Sequence, residues 1–328
     1  MIPNSTAMQK PPIVLQRTIC YTGFQPFERS LGNTKDVSIT SHNITMLCTA
    51  KEILIDAREK HYAVPGFNCV ADVMVRGILD RVERLRSPVF LMLYPGEIDD
   101  KTWWYYPAVI RAVAERYTIP IVMHLDHATD LDILRTSLDN GFTSVMYDGS
   151  SLPFDENVEM TRKAVEIAQP YGASVEAELG LVGGFDLTAK NNVANILTQP
   201  DEVVTFVERT GIDSLAVSIG TAHGTYPQLP KLDIPLLKEL NAASKVPLVL
   251  HGGSGTPDDQ VRAAIENGIC KFNIYTDSRV ALWNRFKKIV TEQGRNDPLP
   301  SSYITQLQEA LGDIVEEKAT LAGSIERA

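Results

Sequence analysis

The amino-acid sequence predicts a (β/α)₈ TIM barrel, and three observations carry that prediction. Eight short parallel-strand candidates alternate with helical patterns, the order of a barrel and not of an open sheet. The length of 328 residues covers the roughly 250 residues that such a barrel needs. Three of these strands carry a histidine at or just past their carboxyl ends, His127, His223 and His251, although the chain has only 6 His. Barrels carry their chemistry at those carboxyl ends of the strands.

Residues 1–45 lack periodicity and are rich in Ser, Thr, Asn and Pro, so they read as an appended, poorly ordered extension. Arg17 and Arg29 in this acid-poor arm leave a targeting segment open. Residues 46–328 read as a single barrel domain. Thr49 with Glu52 forms a capping box that opens a helix through about Lys60. Strands follow at Val64–Asn68, Pro88–Tyr94, Pro120–Asp126, Ser144–Asp148, Ser174–Leu179, Ser214–Gly220, Pro247–His251 and Lys271–Tyr275. Helical patterns lie between them at Asp72–Arg86, Trp103–Tyr117, Asp130–Asn140, Asn157–Gln169, Glu202–Thr210, Ile234–Ala243 and Pro257–Asn267. Gly141, Gly211 and Gly268 stand just past their helices, where a left-handed residue is wanted. From Ser301 onward, extra C-terminal helix packs on the barrel.

Composition narrows the function. Hydrophobic content of 44% and charged content of 22% describe a globular chain with ample core. A net charge of −10 argues against nucleic acid as a partner, since that needs a basic face. An anionic substrate would need local amides, a metal or a few cations. No apolar run approaches the ~20 residues of a membrane span. The cysteines Cys20, Cys48, Cys69 and Cys270 show no close pairing, which suggests reduced thiols in a cytoplasmic protein.

The strand ends suggest a mechanism. Three imidazoles with an open fourth position make a catalytic Zn²⁺ site. Glu178 offers an additional or alternating ligand, whereas His124 lies earlier on its strand and reads as structural. The Gly-rich turn His251-Gly252-Gly253-Ser254-Gly255 and the strand-eight end Asn273-Ile274-Tyr275-Thr276 occupy the usual phosphate site of a barrel. A Schiff-base lyase would need a lysine at the mouth. The one strand lysine, Lys271, is placed at the opposite end of strand eight, so the electrophile should be the metal.

At these motifs the chain resembles the class II, metal-dependent ketose-bisphosphate aldolases, of fructose- and tagatose-bisphosphate type. The motifs are Leu125-Asp126-His127-Ala128, Glu176-Ala177-Glu178-Leu179-Gly180, Gly220-Thr221-Ala222-His223-Gly224 and the two phosphate-site stretches. The resemblance implies zinc on His127, His223 and His251 with Glu178 nearby. It implies triose phosphate on Gly224, Gly252, Gly253, Ser254, Asn273 and Thr276, beside a monovalent cation (Na⁺ or K⁺). Asp126 would move the proton on the aldehyde-derived oxygen, and Asn68 matches a polar residue ending the family's first strand. Asp186 stands on the loop where the family carries its protonating acid. Arg279 matches a position that meets the distal phosphate, with Lys190 and Lys231 as weaker anion contacts. Tyr275 and Tyr94 replace smaller or acidic residues, which suggests a reshaped pocket. The implied reaction splits a phosphorylated ketose into dihydroxyacetone phosphate and an aldehyde, in a homodimer or homotetramer. The same chemistry on a deoxy-keto sugar acid or a sulfonated sugar phosphate stays open. So do a barrel metallohydrolase and a non-catalytic sugar-phosphate binder.

Overall fold

The computed structural model describes residues 46–98, 103–183, 194–224, 229–292 and 294–328. The arm over 1–45, Asp186 and Lys190 lie outside the described residues. The first helix, α1 (Ala50–Lys60), starts where the capping box predicts. The Thr49 N–H donates to Glu52 at 2.9 Å, which satisfies a donor that the first turn leaves open. Lys51 N–H donates to Ser174 Oγ at 3.0 Å, and Ile53, Leu54 and Ala57 are buried among Val64, Phe90, Met92 and Val122. This helix therefore closes the amino-terminal end of the barrel.

The barrel follows as β1 (Val64–Asn68), α2 (Asp72–Leu85), β2 (Val89–Leu93), α3 (Tyr105–Ala114), β3 (Ile121–Ala128) and α4 (Leu131–Asp139). It continues through β4 (Ser144–Tyr147), α5 (Phe154–Ala168), β5 (Ser174–Leu179), α6 (Pro200–Thr210), β6 (Ser214–Val217) and α7 (Ile234–Ala243). The last elements are β7 (Leu248–Leu250), α8 (Asp258–Glu266), β8 (Ile269–Ile274), α9 (Thr276–Glu292) and α10 (Pro300–Ala322). All eight strands pair in parallel, and β1 closes on β8 with Val64 opposite Lys271 and Gly66 opposite Asn273. Outward-facing residues such as Phe67, Leu91, Met123 and Val145 join the helices in one large apolar core.

The differences from the predicted bounds have local causes. Strand β6 stops at Val217 because the Ser218 N–H turns to Thr198 Oγ1 at 2.8 Å. Strand β8 starts at Ile269, two residues early, so Lys271 is an interior strand residue and does not open the strand. Its side chain is fully buried inside the barrel. The reading that Lys271 stands at the wrong end is corrected accordingly: a different feature, described below, keeps it from acting as a nucleophile. The C-terminal α10 packs across α2 and α9 and buries Leu311 and Val315 in the main core.

Candidate active site

In a regular strand, neighbouring side chains face opposite ways, so Asp126 and His127 should not both reach the barrel mouth. They do because β3 is bulged. Its register against β4 shifts between Leu125 and Ala128, and His127 adopts a positive φ of 52°, which is strained for a residue with a Cβ. Asp126 and His127 consequently both line the same mouth cleft of about 290 Å³.

Asp126 is buried and held by two amides. Asn68 Nδ2 donates to one carboxylate oxygen at 2.8 Å, and Asn273 Nδ2 donates to the other at 3.1 Å. Burial pushes its pKa up, but the charges of His127, His251 and Lys271 outweigh that and hold it below its ordinary value. His127 Nδ1 is bonded to Asp148 at 2.8 Å, and Asp148 is fixed by the Ser150 N–H and hydroxyl. Asp148 directly follows β4 and was not singled out in the sequence. The signal was present, because Asp148-Gly149-Ser150 is an acid and a turn at another strand end. Burial disfavours the charged His127 ring, yet Asp126 and Asp148 beside it raise its pKa to about 10.

His251 and His223 complete the group. His251 Nε2 meets Glu176 at 2.9 Å, which leaves Nδ1 as the free lone-pair site. That Nδ1 lies 3.2 Å from Glu178 Oε2 without hydrogen-bond geometry. Burial lowers the His251 pKa, and the neighbouring Glu176 and Glu178 carboxylates turn the net shift upward. His223 is brought in by its N–H bond to the Gly183 carbonyl at 2.8 Å. Burial, then the charges of His127 and His251, push its ring down to about 3, so it is neutral. Three ring nitrogens, one from each of His127, His223 and His251, lie within 4.8 Å of one another.

A divalent metal fits this set. Buried polar atoms ordinarily find partners, yet His223 Nε2, His251 Nδ1 and Glu178 Oε2 are buried without a hydrogen bond. His223 and His251 belong to the compact group of ring nitrogens, and Glu178 Oε2 lies 3.2 Å from His251 Nδ1. A cation is the species that satisfies imidazole lone pairs and a carboxylate together. A second group of His127, Asp148 and Glu178 is compact enough to share it.

The anion side matches the predicted residues in part. Gly224, Gly252, Ser254, Asn273, Thr276 and Arg279 line the cleft with Asn68, Glu178 and Tyr94. Ser254 Oγ accepts from the Tyr275 and Asp277 N–H groups at 3.1 and 3.3 Å, tying the turn after β7 to the start of α9. The Gly253 N–H instead donates to the Asn273 carbonyl at 3.1 Å, so it joins two strand ends and does not face an anion. Lys231 is exposed and away from the cleft. The Tyr275 hydroxyl donates to Glu97, before α3, and the Arg279 guanidinium lies 5.2 Å over its ring. Glu97 is a further residue that the sequence reading missed.

His124 is confirmed as a buried interior residue, with Nδ1 at 2.8 Å from Ser144. Lys271 Nζ lies 2.9 and 3.0 Å from the two oxygens of Glu176. The amine is thereby held on both oxygens of a buried carboxylate and is not presented at the mouth. Residues 48–327 match the family model described as fructose-bisphosphate aldolase class-II. The chain belongs to this family. Among solved structures, the YdjI aldolase from Escherichia coli K12 shares 33% identity at a TM-score of 0.77, covering 86% of this chain and 99% of that one. A Coccidioides immitis protein crystallised as a candidate fructose-1,6-biphosphate aldolase shares 29% identity at 0.74, covering 85% and 97%. Fructose-bisphosphate aldolase (Fba) from Campylobacter jejuni matches the fold at 22% identity and 0.73, covering 86% and 97%. Membership of the class II aldolases makes the protein a lyase. Among the described residues no helix is long and apolar enough to cross a membrane.

Proposed function

We propose that this class II aldolase is zinc-dependent and cleaves a phosphorylated ketose, of the ketose-bisphosphate type, to dihydroxyacetone phosphate and an aldehyde. The observation that carries the reading is the convergence of three imidazole nitrogens beside a carboxylate held by Asn68 and Asn273. His127, His223 and His251 would hold the ion, with Glu178 beside them. When bound, it supplies Lewis-acid stabilisation for the negative charge that cleavage leaves on the ketone half.

The remaining steps belong to the chain's own groups. Asp126, ionised and oriented by two amides, takes the proton from the C4 hydroxyl. The C3–C4 bond then breaks, its electron pair passes to the ketone half, and the C4 carbon leaves as the aldehyde. The ketone half must regain a proton at C3, and Asp186 is the proposed donor from the loop after β5. Asn273 is placed to donate to developing charge while it holds Asp126. Gly224, Gly252, Ser254 and Thr276 surround the triose-phosphate end at the start of α9, where backbone N–H groups favour an anion. A monovalent cation beside that phosphate, a cytoplasmic setting and a homodimer or homotetramer complete the proposal.

One observation favours a second reading of the substrate. The Tyr275 hydroxyl already serves Glu97, so it cannot also donate to a sugar hydroxyl while that bond stands. A modified sugar phosphate, with a different tail, then suits the far end of the cleft better than fructose 1,6-bisphosphate. The test is a cleavage panel over ketose phosphates with zinc, read as dihydroxyacetone phosphate release. A lost hydrogen bond of roughly 0.5–1.5 kcal/mol predicts fructose 1,6-bisphosphate to be about three- to tenfold poorer than the best substrate. Efficient cleavage of fructose 1,6-bisphosphate above all others would sink the second reading, and no cleavage of any ketose phosphate would sink both.

A further inference from the structure

The middle of the barrel is where most barrels place branched apolar side chains. Here it is polar and charged. Lys271, Glu176, His124, Ser144 and Ser214 are all buried, and they are joined in one network. Both Glu176 oxygens accept from Lys271 Nζ at 3.0 and 2.9 Å. Ser214 Oγ reaches the same carboxylate at 3.4 Å, and His124 Nε2 stands 4.0 Å from it. Lys271 also lies 5.2 Å over the Phe90 ring. Burying an ion pair this deeply is costly and seldom stabilises a fold better than apolar residues of similar volume. A position for the pair in the site above would account for it.

That position is visible in the next contact. Glu176 Oε1 lies 2.9 Å from His251 Nε2, while His251 Nδ1, on the other side of the ring, lies 3.2 Å from Glu178 Oε2. A carboxylate on Nε2 requires the proton there, which fixes the tautomer and leaves Nδ1 with its lone pair. A free carboxylate could rotate, take a proton, or compete for the metal itself. Lys271 prevents all three by gripping both oxygens and neutralising the charge.

Resting on the metal reading above, we infer that Glu176 is a positioning residue for the metal centre, locked by Lys271, that presents His251 in its ligating tautomer. Neither residue touches substrate. Their effect is on how tightly the protein holds a divalent ion. Outer partners of ligating histidines typically contribute about 10–100-fold in affinity.

The test compares two double variants, because a single removal leaves a bare buried charge and risks misfolding. Glu176→Gln/Lys271→Met removes the ion pair but leaves an amide oxygen to accept from His251. Glu176→Leu/Lys271→Met removes the acceptor as well. Zn²⁺ affinity of the metal-stripped proteins is measured by competition with a chromophoric chelator, and the Co²⁺ d–d spectrum reports the donor geometry. The expected order of affinity is unmodified protein, then the Gln/Met variant, then the Leu/Met variant, with the last about 10–100-fold below the first and its Co²⁺ spectrum altered. If either double variant fails to fold, the other against the unmodified protein still decides: Gln/Met must bind more weakly, and Leu/Met at least tenfold more weakly. Failure of both to fold would make the pair a requirement of the barrel and overturn the assignment. Folded Leu/Met protein that binds Zn²⁺ like the unmodified protein overturns the positioning role alone. An unmodified protein that binds neither Zn²⁺ nor Co²⁺ overturns the metal reading itself.

Discussion

Asp126 is buried, yet it stays ionised because cationic neighbours outweigh the cost of burial. Asn68 and Asn273 each occupy one of its oxygens, so its direction is set before any substrate arrives. A pre-aimed carboxylate is what a proton transfer needs. Asp126→Asn keeps the shape and removes the base. We expect kcat to fall about 10²–10⁴-fold with zinc content unchanged, and kcat equal to that of the unmodified enzyme would remove Asp126 from the mechanism. His127 gives a pH prediction for the metal-free protein. Its folded pKa, near 10, lies above the ordinary 6.5, so its protonation stabilises the fold. That contribution is complete below about pH 6.5 and is lost as pH rises through about 10. Thermal melts of chelator-treated protein should therefore decline across that window, and less so for His127→Gln. A decline of the same size in both proteins would show that other groups cause it.

At the scale of elements, the strands and the glycine turns place these side chains. Strands β1 and β5 and helix α7 fall on their predicted bounds. The bulge in β3 was not legible. A left-handed residue is ordinarily signalled by Gly or Asn, and here it is His127, held by tertiary contacts such as its bond to Asp148. The Glu176–Lys271 pair was hidden for a different reason: the two are 95 positions apart in the chain, and only closure of the barrel joins them. Zinc-ligand candidates were legible because strand ends are fixed by the fold, whereas side-chain networks between strands are not. Gly252 shows how tightly the turn after β7 is built. It has a φ of 66°, and an added Cβ would meet the Ala222 carbonyl oxygen at 2.4 Å. Gly252→Ala should cost roughly 1–3 kcal/mol in denaturant unfolding and weaken binding of phosphorylated ligands. Unchanged stability would mean that the turn relaxes freely.

For the molecule as a whole, α1 closes the amino-terminal end of the barrel and the mouth keeps the donors. Charge is distributed to match, with a polar middle layer under the mouth and apolar packing outside it. The mechanistic choice for such a barrel lies between a metal and a lysine Schiff base as the electron sink. Lys271 is inside the barrel but is occupied by both oxygens of Glu176, while three imidazole nitrogens converge and His223 Nε2, His251 Nδ1 and Glu178 Oε2 are buried without hydrogen-bond partners. The measurement that separates these most directly is dihydroxyacetone phosphate release by protein stripped with a chelator, then reloaded, with a parallel borohydride treatment in the presence of substrate. The expected result is no turnover in the stripped protein, recovery with one equivalent of Zn²⁺, and no loss of activity to borohydride. Turnover that survives complete metal removal, or inactivation by borohydride with label on Lys271, would contradict it.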